Sequence, residues 1–130
     1  MRWFLTSGGA FPVRRGERDP EAFRTAVRLV REGGVVAMFP EGTRRAKGLR
    51  KKHVAQPHPG AARIALAAGV PLVPAAIVGT ERLGRSRVRV LYGRPLEQPG
   101  PEASRREAGR LMTARLMEEI ARLESELARS

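Results

Sequence analysis

The chain has 130 residues, of which 42% are hydrophobic and 29% charged, and it contains no cysteine. This length fits one small domain, and the apolar fraction is too high for a disordered chain. The absence of cysteine excludes disulfides and thiolate metal sites. The net charge is +12, and residues 1–65 carry +9 of it. We therefore expect an anionic partner that binds the first half: nucleic acid, a lipid headgroup or a phosphorylated small molecule.

The longest uncharged run, Ile64 to Thr80, has 17 residues and approaches the length of a membrane-spanning helix. Gly69, Pro71 and Pro74 interrupt it, so the run is interpreted as the end of a helix followed by a buried strand. No secretory signal is recognisable. Any membrane contact is therefore expected to be peripheral.

In the first half, the apolar stretch from Gly8 to Val13 is typical of a short strand. Asp19 and Pro20 predict the start of a helix, because Asp caps free backbone N–H groups and Pro suits the first helical position. Gly33-Gly34 predicts its end. Val35 to Phe39 is a continuous apolar run, which predicts a strand covered on both faces, as in a parallel sheet.

In the second half, Pro59 to Ala68 predicts a short apolar helix that Gly69 ends. Leu72 to Val78 predicts a second buried strand and Val88 to Tyr92 a third. Between Phe39 and the helix at Pro59, the chain is polar, basic and irregular.

Ser104 and Glu107 match a capping box, which predicts a final helix to about Ala128. Its apolar stripe is expected at Met112 or Thr113, Leu116, Ile120, Leu123 and Leu127. Alternating strands and helices predict an α/β class with mostly parallel short strands. The whole chain, 1–130, is expected to form one domain. Only about four short strands can be counted, so this domain is expected to be incomplete at its N-terminus.

The segment from Phe39 to Arg44 is the most informative for chemistry. It reads Phe-Pro-Glu-Gly-Thr-Arg, a turn at the carboxyl end of a predicted strand, where open α/β sheets bind ligands. Glu41 can accept hydrogen bonds from hydroxyl groups, and Thr43 and Arg44 can donate to a phosphate. The simpler alternative is a turn whose charges are solvated.

This segment resembles the third signature block of the glycerolipid acyltransferases. Gly9 to Arg15 resembles the second block and Val70 to Ala75 the fourth, in the same order and spacing. The segments Pro59 to Arg63 and Tyr92 to Leu96 also resemble the family. The resemblance thus extends over essentially the whole chain.

The resemblance implies transfer of a fatty acyl group from acyl-CoA or acyl carrier protein to the free hydroxyl of a lysophosphatidate. It implies that Arg15 and Arg44 contact the acceptor phosphate and that Glu41 and Gly42 position the glycerol part. Pro74 would shape the floor of the site, with strand-edge packing as the alternative. Arg14 stands where the family often has an acidic residue, which leaves its role open.

The family's first block, His-x-x-x-x-Asp, supplies a general base and the acid that orients it. No such block exists in this sequence, because its one aspartate, Asp19, precedes both His53 and His58. One interpretation is that the chain is the C-terminal part of an acyltransferase. Another is a protein that kept the acceptor site and lost catalysis. A third gives His53 or His58 the role of base, although most such histidines are solvated loop residues.

Six positive side chains lie between Arg44 and Lys52. They could bind nucleic acid or anionic lipid headgroups, or form a solvated loop. Only six aromatic residues and no recognisable nucleic-acid motif are present, so nucleic acid is not expected as a partner. The expected partners are a lysophospholipid, the acyl donor and an anionic membrane, at the inner face of the cell membrane. No metal or bound cofactor is expected, since the thioester is a co-substrate.

Overall fold

The computed structural model describes residues 19–41, 57–80 and 87–129. The chain divides into two compact units, Met1–Ala37 and Met38–Ser130. The strand expected from Gly8 to Val13 lies outside the described residues.

In the first unit, helix α1 spans Pro20–Arg31. The Asp19 carboxylate accepts a hydrogen bond from the backbone N–H of Ala22 at 3.0 Å, and Pro20 occupies the first turn. After the helix, Gly33 adopts a φ of 88°. The predicted helix, its cap and its glycine end are therefore confirmed.

The buried strand expected from Val35 to Phe39 is wrong. This run forms no strand, and Val35 is 95% and Phe39 79% exposed. An apolar run forms a buried strand only when neighbouring strands bind its backbone and other elements cover its faces. Among the described residues, the two β-strands pair with each other and not with this run.

In the second unit, helix α2 spans Gly60–Ala68. It ends at Gly69, whose φ of 67° lies in the left-handed region that suits glycine. The N–H of Val70 donates to the carbonyl of Ala65 at 3.1 Å. The short apolar helix and its glycine end are as predicted.

Strands β1 (Ala75–Val78) and β2 (Arg89–Tyr92) form an antiparallel pair with Ala75 opposite Tyr92 and Val78 opposite Arg89. The expected parallel arrangement is wrong for this pair. Only residues 79–88 connect the two strands, which is too short for the crossover that parallel neighbours require. What the structure supports is a mixed architecture of helices and a small sheet, consistent with an α/β domain.

Helix α3 spans Arg105–Arg129, and the Ser104 hydroxyl accepts a hydrogen bond from the N–H of Glu107 at 3.2 Å. The predicted long C-terminal helix is confirmed. Most of its predicted stripe is buried: Met112, Thr113, Leu116, Leu123 and Leu127.

Helix α3 contributes to two hydrophobic clusters, one with α2 and one with strand β1. Near its start, Met112 packs with Ala62 and Ala65 of α2. Near its end, Leu123 and Leu127 pack with Ala76 of β1. Since α3 covers one face of the strand pair, the strands are buried on that face only, and the expectation of fully buried strands is corrected accordingly.

Candidate functional site

The turn at Pro40 and Glu41 lies beside the residues that lead into α2. The backbone N–H of His58 donates to the carbonyl of Pro40 at 2.8 Å. Helix α2 begins two residues after His58. One long-range hydrogen bond therefore joins the turn to the start of a helix 20 residues further along the chain.

Gly60 allows a close approach at the same place. A Cβ atom added to Gly60 would lie 3.2 Å from the terminal methyl carbon of Met38. A larger residue at position 60 would press on Met38, in the segment that leads into Pro40. The absence of a side chain at Gly60 therefore helps to hold this segment against α2.

The start of α2 is suited to an anion in two respects. Pro59 occupies the N-cap without a side-chain hydrogen bond to the first turn, and that turn contains no acidic residue. The N-terminal end of a helix carries a partial positive charge from its backbone N–H groups. Glu41, half-buried next to Pro40, provides a carboxylate on the adjacent turn.

Pro74 is fully buried. Its carbonyl accepts a hydrogen bond from the N–H of Gly93 at 2.9 Å. A Cβ atom added to Gly93 would lie 2.8 Å from Cγ of Pro74 and 3.3 Å from Cδ1 of Leu123. Pro74 thus packs against Gly93, and Gly93 in turn lies close to Leu123 of α3.

Of the predicted site residues, Glu41 and Pro74 lie within the described part of the chain. Arg15, Gly42, Thr43 and Arg44 lie outside it, as does His53. The roles that the resemblance implies for all six predicted residues stay predictions.

The placement of His58 was missed by the sequence analysis. The imidazole is exposed, as expected of a loop histidine, whereas the backbone N–H fixes the position of the Pro40 turn. Prolines on both sides of His58 indicate a loop, but no sequence signal identifies its partner.

The described ranges 19–41, 57–80 and 87–129 contain neither a candidate membrane span nor a candidate metal cluster. None of their helices combines the length and apolar character needed to cross a membrane. These ranges also bring together no cluster of three His, Asp or Glu side chains suited to a metal ion.

The sequence matches the family model described as acyltransferase over residues 1–78. It is 34% identical over 132 residues to a 1-acyl-sn-glycerol-3-phosphate acyltransferase of Bacillus subtilis, covering 95% of this chain and 62% of that protein. It is 31% identical over 107 residues to a chloroplastic 1-acyl-sn-glycerol-3-phosphate acyltransferase of Brassica napus, covering 72% of this chain and 29% of that protein.

No solved structure matches the chain significantly. The chain spans 62% and 29% of the lengths of these two relatives. The family model covers more than half of the chain, including the segment from Phe39 to Glu41 and the loop that carries His58. The chain therefore belongs to the acyltransferase family, as the glycerolipid acyltransferase signature blocks indicated.

Proposed function

We propose that this chain carries the acceptor-binding part of an acyltransferase that acts on 1-acyl-sn-glycerol 3-phosphate in phospholipid synthesis. The acyl donor is acyl-CoA or acyl carrier protein, and no bound cofactor or metal takes part. The observation that carries the proposal is the agreement between two features. The Phe-Pro-Glu-Gly-Thr-Arg segment begins beside the start of α2, where the N-cap Pro59 makes no side-chain hydrogen bond, and both curated relatives are named for this acceptor.

In this proposal, Arg15, Thr43 and Arg44 bind the acceptor phosphate. A guanidinium forms paired hydrogen bonds with phosphate oxygens, and a hydroxyl adds a single donor. Glu41 and Gly42 position the glycerol part, with the Glu41 carboxylate accepting from its hydroxyl group. Pro74 shapes the floor of the site from a buried position against Gly93.

The 130-residue chain is proposed to bind the acceptor without transferring an acyl group. Its sequence contains no His-x-x-x-x-Asp block, so the proton of the attacking hydroxyl has no general base of the family type. The test is an assay of the purified chain with acyl-CoA and lysophosphatidate. Turnover that Glu41→Ala abolishes, but that survives replacement of each histidine, would contradict the proposed mechanism.

Binding is tested by calorimetry with lysophosphatidate and with inorganic phosphate as separate ligands. A hydrogen bond to a charged group contributes about 1.5–3 kcal/mol, so Arg44→Ala is expected to weaken binding of both ligands about 10- to 150-fold. Glu41→Ala is expected to weaken binding of lysophosphatidate alone, because inorganic phosphate lacks the glycerol hydroxyl.

Arg115→Ala is the matched control, since Arg115 lies exposed on α3 and its replacement removes the same charge as Arg44→Ala. Equal affinities for the wild-type chain, Arg44→Ala and Arg115→Ala would refute a phosphate site at Arg44. Binding without turnover would support the acceptor-site proposal, and this outcome also fits a protein that lost catalysis.

A further inference from the structure

The segment that leads into Glu41 is held against the start of α2 by two contacts of different kinds. One is the hydrogen bond from the N–H of His58 to the carbonyl of Pro40, at 2.8 Å. The other is apolar, because the terminal methyl carbon of Met38 lies only 3.2 Å from the position of a Cβ atom on Gly60. Met38 precedes Pro40 by two residues, and Gly60 follows His58 by two. The two short segments therefore lie side by side and run in opposite directions.

The glycine at position 60 supplies room and not backbone freedom. Gly60 is the first residue of α2 and is not among the described glycines with positive φ, so alanine could adopt the same backbone conformation. Alanine is also the better helix former. The space beside the Met38 methyl group is therefore the feature that a glycine, and no other residue, leaves open at this position.

An alanine at position 60 would disturb the contact in one of two ways. A carbon–carbon separation of 3.2 Å is shorter than the optimum of about 3.5–4.0 Å, so Met38 must move. If the backbone of Met38 shifts, Pro40 shifts with it, because a single residue separates them. If the flexible Met38 side chain instead turns into solvent, where it is already 43% exposed, the apolar contact is lost. In both cases the hydrogen bond between Pro40 and His58 holds the turn with less support.

The place of Glu41 follows from the place of Pro40. Glu41 is the next residue, it is half-buried, and its carboxylate is the group proposed to accept a hydrogen bond from the glycerol hydroxyl. Such a bond requires a distance of about 2.5–3.0 Å between the two oxygens, so a shift of about 0.5 Å weakens it. Contacts that fix the turn to this accuracy therefore help to determine how well Glu41 binds.

We propose that Gly60 is a positioning residue for the acceptor: the room that it leaves for Met38 fixes the turn that presents Glu41. The proposal deepens the proposed function and rests on it, because it assumes that Glu41 positions the glycerol part. Gly60 and Met38 touch no part of the acceptor in this proposal and act only through the turn. A substitution at either position therefore alters the affinity for lysophosphatidate without removing a ligand contact.

The test compares the wild-type chain with Gly60→Ala by two measurements. The first is the hydrogen-exchange rate of the His58 N–H in the ligand-free chain, followed by NMR. It is expected to rise about 2- to 12-fold, the range that corresponds to the net contribution of one hydrogen bond. The second is calorimetry with lysophosphatidate. The affinity is expected to fall about tenfold, near the lower end of what a hydrogen bond to a charged group contributes.

Gly109→Ala is the matched control, because it also adds one methyl group to a glycine in a helix of the same unit. A Cβ atom at Gly109 meets only Cγ of Arg63, at 3.7 Å, so neither measurement should change. Circular dichroism verifies that each variant keeps its helices. A general loss of stability would raise amide exchange throughout α3, whereas a loosened turn raises it selectively at His58.

A second variant tests whether Gly60 acts through Met38. Met38→Ala removes the methyl group that Gly60 accommodates, so this variant is also expected to bind lysophosphatidate more weakly. In the double variant the contact is lost only once, and its affinity is expected to be no lower than that of Gly60→Ala alone. Additive losses would show that the two residues act independently and would overturn the proposal.

Two further results would overturn the proposal. One is an unchanged exchange rate at His58 in Gly60→Ala, and the other is equal affinity of Gly60→Ala and the wild-type chain for lysophosphatidate. Failure of the proposed function is a distinct result. If the wild-type chain does not bind lysophosphatidate, the acceptor site itself is refuted. If it binds and Gly60→Ala binds equally well, only the positioning role of Gly60 is refuted.

Discussion

Gly93→Ala is expected to destabilise the fold through a single methyl group. The added Cβ would lie 2.8 Å from Cγ of Pro74 and 3.3 Å from Cδ1 of Leu123. Both partners are fully or almost fully buried, so neither can move without disturbing the core. Overpacking of this kind costs about 1–3 kcal/mol in the free energy of unfolding.

The backbone contributes little to this effect, because Gly93 is not among the described glycines with positive φ. The assay is urea denaturation followed by circular dichroism, in which a loss of this size lowers the midpoint by about 1 M. Gly109→Ala provides the matched control. A Cβ at Gly109 meets only Cγ of Arg63, at an ordinary 3.7 Å, and alanine is favoured in a helix by about 0.5–1 kcal/mol.

Gly93→Ala is therefore expected to lower the free energy of unfolding and Gly109→Ala to raise it. A Gly93→Ala variant as stable as the wild-type chain would refute the reasoning, because it would show that Pro74 does not lie against Gly93. A loss of stability in Gly109→Ala equal to that in Gly93→Ala would also refute it. In that case the cost would come from any methyl group in this core and not from the contact with Pro74.

Substitutions at three other positions test the caps and the core. Asp19→Ala removes the carboxylate that accepts from the N–H of Ala22, and faster hydrogen exchange in α1 should reveal a loss of about 1 kcal/mol. Unchanged exchange would contradict this capping role. Met112→Ala, at a fully buried position, is expected to lower the free energy of unfolding by about 2–5 kcal/mol in the same urea assay, and a loss below 1 kcal/mol would contradict its place in the core. Gly69→Ala places a side chain at a φ of 67° with nothing within 4 Å, so a loss of about 1 kcal/mol should arise from the backbone alone. Gly69→Asn should recover part of that loss, since asparagine tolerates this conformation better than alanine, and an alanine variant of wild-type stability would exclude the left-handed geometry.

Features that depend on neighbouring residues were predictable from the sequence. Asp19, Gly69 and Ser104 act through hydrogen bonds or backbone angles within one helical turn, so their residue types alone indicate where helices begin or end. The stripe on α3 was predictable for a similar reason, because the spacing of Leu116, Leu123 and Leu127 follows the helical period.

Features that depend on distant partners were not predictable in the same way. The run from Val35 to Phe39 has strand composition, but pairing and burial are properties of what lies beside it. The direction of the β1–β2 pair was mispredicted because the expectation came from fold class. The connection over residues 79–88 is too short for a parallel pair, so its length indicates the antiparallel direction better than the fold class does.

The same distinction between neighbouring residues and distant partners applies to the candidate site. The residue types at Glu41, Thr43 and Arg44 indicated phosphate and hydroxyl chemistry directly. The hydrogen bond that places His58 against Pro40 connects residues 18 positions apart, and no local pattern indicates it. The chemistry of the turn therefore stays a prediction, and the position of the α2 start beside the turn is evident only from the structure.

Both hydrophobic clusters take residues from α3, and this has a consequence for synthesis on the ribosome. Neither α2 nor the strand pair can complete its core until the codons for Met112 and Leu123 have been translated. At about 5–20 residues per second, the roughly 44 residues from the end of α2 to Met112 correspond to a delay of about 2–9 s. During that interval the nascent chain exposes apolar helix and strand surfaces, the kind of surface that chaperones recognise.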